Sequence, residues 1–227
     1  MLNASTRWMF ALGLFLFASS TFAQFGENIL DRPEFRHFWN PVVGNGAAYE
    51  TTSADSPGKK RALEFLLVSQ EMVDGKTGYW LEMKMEASAM NGTAYGKSLV
   101  VPGEMRPRRS IIQYPGLDPM ELPLRPNAAP PKHEMDPKKV PHQIGTETIT
   151  VPAGTFVCEH WKDDSGEEAW TNSKVGPISV VKTVRSGQTM VLVKTITNGT
   201  DHITGTVKPF DPRALAQFVQ QQKAAQQ

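Results

Sequence analysis

From Lys59 onward, apolar and polar residues alternate with a period close to two, interrupted at short intervals by turn residues. That period belongs to half-buried β-strands and is incompatible with a helical bundle, whose apolar residues recur every three to four positions. The clearest piece is RALEFLLVSQEMVDGKTGYWLEMKMEA (61–87). Asp74-Gly75 and Gly78 supply turn chemistry, and the run after them sets Tyr79, Leu81, Met83 and Met85 against Trp80, Glu82, Lys84 and Glu86. This predicts an antiparallel hairpin with its Met-rich side inward and its mostly charged side in water.

GKSLVVPG (96–103) and RSIIQYPG (109–116) read as two further short strands, each closed by a Pro-Gly turn. Residues 115–142 carry a proline every few positions, which rules out a persistent helix or central strand and predicts a linker or covering loop. Met120, Leu122 and Leu124 alternate within it, as they would if part of the loop lay on the apolar face of the sheet. In the second half, TETITV and FVCEHW flank Pro152-Ala153-Gly154, EEAWTN follows Asp164-Ser165-Gly166, and ISVVKTVR and TMVLVKTI flank Ser186-Gly187. Successive hairpins of this kind build an antiparallel sheet in chain order. Asp211-Pro212 provides an N-cap and a first-turn proline, with Leu215, Phe218 and Val219 at helical spacing beyond them. Residues 24–56 offer only one candidate strand, around 47–52.

The first residues place one cation, Arg7, before an apolar run from Trp8 to Ala18, then small and polar residues ending in Thr21-Phe22-Ala23. This is the order of a cleavable export signal cut after Ala23, and the apolar run is too short for a permanent membrane span. The expected organisation is a signal peptide (1–23), a single antiparallel β domain (24–210) containing the proline-rich loop (115–142), and a short helix with a frayed tail (211–227). The location expected is periplasmic or secreted. Of 24 cationic and 23 anionic side chains, only Arg7 lies in the signal, so the mature chain is electrically balanced. Such a chain has no broad cationic field for nucleic acid. Its single cysteine cannot form an intramolecular disulfide, so stability rests on packing.

Cys158 and His160 share one face of a predicted strand with Phe156, while Val157, Glu159 and Trp161 take the other. Two potential ligands fall short of a zinc site, and His37, His133, His142 and His202 add no ligand spacing. A buried, unreactive cysteine is the expected reading. The carboxylates Asp163, Asp164, Glu167 and Glu168 flank a turn and read as a solvated hairpin tip, and Arg106, Arg108 and Arg109 as a solvated strand edge. No nucleophile elbow, phosphate loop or dinucleotide fingerprint occurs, so no catalytic residue, cofactor or metal is assigned.

The phrase VPAGTFVCEHW, followed by the Trp-bearing strand EEAWTN and the strand pair GPISVVKTV and TMVLVKTI, resembles uncharacterised bacterial periplasmic families similar to the lipoprotein-carrier (Lol-type) superfamily. The resemblance spans roughly 143–205. It implies a strongly curved, open half-barrel sheet whose concave face is plugged by helices and, in some members, binds acyl chains; here the proline-rich loop would stand in for the plug. The fold expected is thus mainly β, a curved antiparallel sheet or half-barrel meander with a short C-terminal helix. The function expected is non-enzymatic binding of a lipid, acyl chain or lipidated partner by Tyr79, Leu81, Met83, Met85, Met120 and Leu122. The alternative is a structural or interaction protein of the cell envelope with a filled core, an envelope protein as its partner and no ligand. Neither reading involves nucleic acid or a membrane span.

Overall fold

The computed structural model describes residues 37–87, 92–104, 106–123 and 137–224. The expected export signal and its cut site, residues 124–136 of the proline-rich loop (Leu124 among them) and the last three residues lie outside the described residues. The strands are β1 (Gly46–Ser53), β2 (Ser56–Val73), β3 (Lys76–Ala87), β4 (Gly92–Val100), β5 (Arg109–Gln113), β6 (Met120–Glu121), β7 (His142–Val151), β8 (Gly154–Lys162), β9 (Glu168–Thr171), β10 (Val180–Arg185), β11 (Gln188–Ile196) and β12 (Lys208–Pro209). A helix, α1 (Pro212–Ala224), follows. All twelve strands belong to one open sheet in the order β12-β6-β5-β4-β3-β2-β1-β11-β10-β9-β8-β7. Two meanders, β1–β6 and β7–β11, are joined where β1 pairs with β11; only the β12–β6 pair is parallel. The mainly β, mostly antiparallel sheet with a C-terminal helix is the fold class that the period-two pattern predicts.

Local chemistry sets the tight corners. Asp74-Gly75 has φ of 48° and 77°, and Ser186-Gly187 has 45° and 74°, so both two-residue hairpins turn with both central residues left-handed. Such turns match the twist of the strands they join. The proline-rich segment contributes β6 to the sheet, and its Met120 and Leu122 are buried. The second meander curls back on itself: at the tip of the β7–β8 hairpin, the Ala153 N–H donates to the Leu192 carbonyl of β11 at 3.3 Å.

Register assigns the faces. Leu67 lies opposite Leu81, Phe65 opposite Met83 and Ala47, Tyr49 opposite Leu63 and Leu192, Thr183 opposite Met190 and Ala169, and Ala169 opposite Trp161. Paired residues share a face, so one continuous face runs from Leu81 to Trp161. Its main core combines Tyr49, Phe65, Leu67, Leu81, Met83 and Leu192 with Phe38 from the segment before β1 and Val175 and Ile178 from the β9–β10 loop. Farther along this face, Ala94, Ile112, Tyr114, Met120 and Leu122 pack beneath Leu215 and Val219 of α1. The helix starts where Asp211 Oδ1 accepts from the N–H groups of Arg213 (2.8 Å) and Ala214 (3.1 Å), with Pro212 in the first turn. Each fully buried aliphatic side chain contributes roughly 1.5–3 kcal/mol, enough to seat a short amphipathic helix.

The opposite face of β3 departs from expectation. Lys84 and Glu86 are exposed as predicted, but Trp80 and Glu82 are buried. The cause is the strap 197–207, which runs from β11 to β12 across that face. Its Ile203 packs on Trp80, Leu99 and Ile111. His202 stacks on Tyr95 with ring centroids 4.6 Å apart, and Asp201 pairs with Lys97. Glu82 stays tolerable in this setting because its carboxylate accepts from His202 Nδ1 at 2.6 Å and from the His202 N–H at 3.0 Å.

The carboxylate-rich turn is also less solvated than expected. Asp163 is buried, and its Oδ1 accepts from the Ser165 N–H, the Ser165 hydroxyl and the Glu167 N–H at 2.7–2.9 Å. Glu167 pairs with Arg185, and Glu168 with Lys162. Asp163, Glu167 and Glu168 are thus tied into the turn, while Asp164 is exposed as expected. The arginines are paired as well: Arg108 with Glu104, and Arg109 with Glu121 through two bonds of 2.8 and 3.0 Å.

Candidate functional site

On the Leu81–Trp161 face lies a groove of about 450 Å3 between the segment before β1, the β7–β8–β9 strands and the β9–β10 loop. A volume of a few hundred cubic ångströms is the scale of small-ligand sites. Thr146, Val157, Glu159, Trp161 and Thr171 line it from the sheet, and His37, Phe38, Trp39 and Asn40 from the segment. The strand residues share the wall because Thr146 and Thr171 are the register partners of Glu159, and because Val157, Glu159 and Trp161 alternate along β8.

The aromatic walls are fixed by contacts among the lining residues and with Tyr79 and Pro177 behind them. The Phe38 ring sits 5.4 Å from that of Trp161, and the Trp39 ring 6.0 Å from that of Tyr79. Trp161 Nε1 donates to the Thr171 hydroxyl at 3.0 Å. Asn40 donates its backbone N–H to the Pro177 carbonyl (2.8 Å) and its side-chain amide to the Ser173 carbonyl (2.6 Å). The Asn172 amide donates to the Val157 carbonyl at 2.8 Å. The amides of Asn40 and Asn172 and the indole N–H of Trp161 are therefore spent within the wall. Indole and phenyl surface, the 63%-exposed Val157 and Glu159 line the opening together with the polar residues His37, Thr146, Ser173 and Ser179.

The residues expected to hold a ligand divide into two groups. Leu81 and Met83 are buried in the main core at 1% and 3% exposure, and Tyr79 packs beside them against Trp39. Met120 and Leu122, each 7% exposed, lie under α1, and half-buried Met85 is opposite Ala94 of that same patch. Protein side chains already cover both groups. The groove itself was not assembled from the sequence: Phe38 and Trp39 fall in a stretch without strand periodicity, and their ring partners, Trp161 and Tyr79, stand on distant strands. The available signals were the adjacent aromatics ahead of β1 and the Val157–Glu159–Trp161 face.

Cys158 is fully buried, its sulfur 3.8 Å from the Phe156 carbonyl. Burial pushes its thiol up to about 11, with the facing Glu147 carboxylate adding to the rise. At neutral pH it is a protonated apolar filler, as the sequence reading holds. His160 stacks on Trp170 at 4.3 Å, with Nε2 3.0 Å from Glu168 and Nδ1 3.5 Å from Glu147. Both ring nitrogens thus face carboxylates, and no serine or thiol is paired with the imidazole among the described contacts. Glu168 is held below the usual carboxylate range, first by the Lys162 hydrogen bond and further by His160. Among the described residues, no cluster of three His, Cys, Asp or Glu side chains is placed to hold a metal, and no helix is long and apolar enough to cross a membrane.

No family model matches the chain, and no curated protein matches it. Similar solved structures include a protein from Bacteroides fragilis described as exported, with a YmcC-like fold (12% identity, 70% of this chain and 98% of that one, TM-score 0.34). A protein from Parabacteroides distasonis described as a lipoprotein matches at 16% identity over 70% and 97% of the two chains, with a TM-score of 0.34. A LolA superfamily protein from Nitrosomonas europaea matches at 10% identity over 79% and 97%, with a TM-score of 0.28.

Proposed function

We propose that this is an exported, non-enzymatic protein of the periplasm or cell exterior that binds an apolar chain, a lipid or the acyl part of a lipidated partner, in the aromatic-walled groove. The observation that carries the proposal is the open groove of about 450 Å3, walled by Phe38, Trp39, Trp161 and Val157, on the same sheet face as Tyr79, Leu81 and Met83. The driving force is burial: each methylene removed from water contributes about 0.8 kcal/mol, and the pinned rings lose little freedom when they receive it. In this reading Tyr79 backs the Trp39 wall, and Leu81 and Met83 are the packed continuation of the binding face. Met85, Met120 and Leu122 contact a ligand only when α1 leaves its patch. Export rests on the charge and apolar order of residues 1–23.

The test is thermal unfolding of delipidated protein with fatty acids and phospholipids. A ligand at a hundred times its Kd adds about 2.7 kcal/mol to stability and raises Tm accordingly. Val157→Asp, which places a charge at the groove mouth on an exposed position, should remove the gain while leaving the unliganded protein folded. Unchanged Tm with every lipid tried would refute the proposal.

A second reading, an envelope interaction protein without a ligand, draws on the sheet's unequal edges. β12 is two residues long and carries Pro209, so that edge is blunted. β7 has ten residues, pairs only with β8 among the described strands, and is exposed along most of its length. Such an edge suits an added strand. The same titration separates the readings, since an edge-binding protein gains nothing from lipid.

A further inference from the structure

We infer that the groove selects amphiphiles whose head group is cationic, an amine or quaternary ammonium, over anionic and uncharged ones. This inference rests on the groove being a binding site and adds the class of ligand it takes. Among the described residues lining the groove, Glu159 is the only carboxylate, and no lysine or arginine accompanies it. Nor does Glu159 form an ion pair with any described residue, although its strand neighbours Lys162 and Glu168 are paired with each other. Its charge is therefore left to the groove.

The neighbours of Glu159 reinforce its sign. Trp161 stands two residues along the same strand face, so the two side chains emerge about 6.6 Å apart. A small alkylammonium group can touch both at once. The Trp161 indole is held by its hydrogen bond to Thr171, the register partner of Glu159, so carboxylate and ring are set side by side by the β8–β9 ladder. Phe38 and Trp39 supply two more rings at the same opening. Aromatic faces present negative potential and attract cations within about 6 Å of the ring centre, most strongly at tryptophan. Carboxylate and ring faces thus favour the same charge. An anionic head meets no compensating cation or helix N-terminus in the described groove, and it would sit against Glu159.

Three probes with one tail and different heads test this: dodecyltrimethylammonium, dodecyl maltoside and dodecanoate. Each is titrated below its micelle concentration into the delipidated full-length mature chain, read by tryptophan fluorescence and calorimetry at low salt. All titrations are run at pH 8. The ammonium probe should bind about fivefold more tightly than the maltoside, the size of a partly exposed cation–π and charge contribution, and dodecanoate should bind most weakly. In Glu159→Gln the ratio of ammonium to maltoside affinity should fall by at least half, and added salt should shrink it in the wild type. Glu159 is exposed, so the variant should fold, and its unfolding midpoint checks that. Equal affinities for ammonium and maltoside, tighter binding of dodecanoate, or a ratio unmoved by Glu159→Gln would overturn the head-group inference while leaving the groove a binding site. Failure of all three probes to bind would instead overturn the groove itself.

Discussion

His202→Ala tests how the strap 197–207 is held to the sheet. The side chain of Glu82 is 3% exposed and that of His202 is 44% exposed, and the imidazole Nδ1 reaches the carboxylate at 2.6 Å. Truncation keeps the backbone bond from residue 202 and removes the side-chain one. A hydrogen bond to a charged group contributes roughly 1.5–3 kcal/mol, taken at its lower end here because the histidine is partly in water. The lost stack on Tyr95 adds about 0.5 kcal/mol, so the expected loss at pH 7 is about 2 kcal/mol. For a domain of this size that is a fall in Tm of about 4–8 °C. Burial raises the carboxyl of Glu82 above its ordinary 4.5, a rise that Asp201 augments and the hydrogen bonds from His202 oppose. The folded state therefore holds this proton more firmly than the unfolded state does. The favourable contribution is fully present below 4.5 and is lost as pH rises through the raised native value. Removing His202 lifts that value further, so the penalty should be largest near neutrality and shrink toward pH 4. Urea unfolding at both pH values, followed by circular dichroism, measures it. In a Glu82→Gln background the same truncation should cost less than half as much. A loss under about 0.5 kcal/mol at pH 7, or one equal at both pH values, would refute the argument.

Two further outcomes follow from packing. Cys158, buried and raised to about 11, should resist iodoacetamide at pH 8 in the native protein and react fully in urea; fast native labelling would contradict its burial. Gly46→Ala would drive a methyl into the Phe65 carbonyl of the paired strand and should cost about 3 kcal/mol. Gly199→Ala meets side-chain atoms only, the end of Leu66 at 2.5 Å and Ile196 Cγ2 at 3.2 Å, and should cost about 1 kcal/mol, so equal midpoints in urea for the two variants would show that β1 and β2 can separate.

The strands were legible because local chemistry dictates them: alternation marks β3 and β11, and left-handed turn residues mark the hairpins at Asp74-Gly75 and Ser186-Gly187. The buried state of Trp80 and Glu82 was not, because one buried apolar residue, Ile203, in a mostly polar strap recruits them. No period announces a strap. The solvated tip expected at Asp163 failed for a related reason: one buried carboxylate organises a turn through bonds that composition does not reveal. The inward side of β3 was read correctly for Leu81 and Met83, whereas what covers it depends on Phe38, Ile178 and α1, all distant in sequence.

That dependence explains why one part of the face is filled and another is open. Leu81 and Met83 are sealed because the segment before β1 and the β9–β10 loop descend onto β2 and β3. Toward β8 the same segment is held in place around the groove's rim: Asn40 is tied to Ser173 and Pro177, Trp39 leans on Tyr79, and Phe38 rests on Trp161. For the wall to collapse onto Val157 and Glu159, it would have to break two hydrogen bonds and separate two ring pairs. Collapse of this wall into the opening is thus opposed by these contacts, which keep the groove open among the described residues.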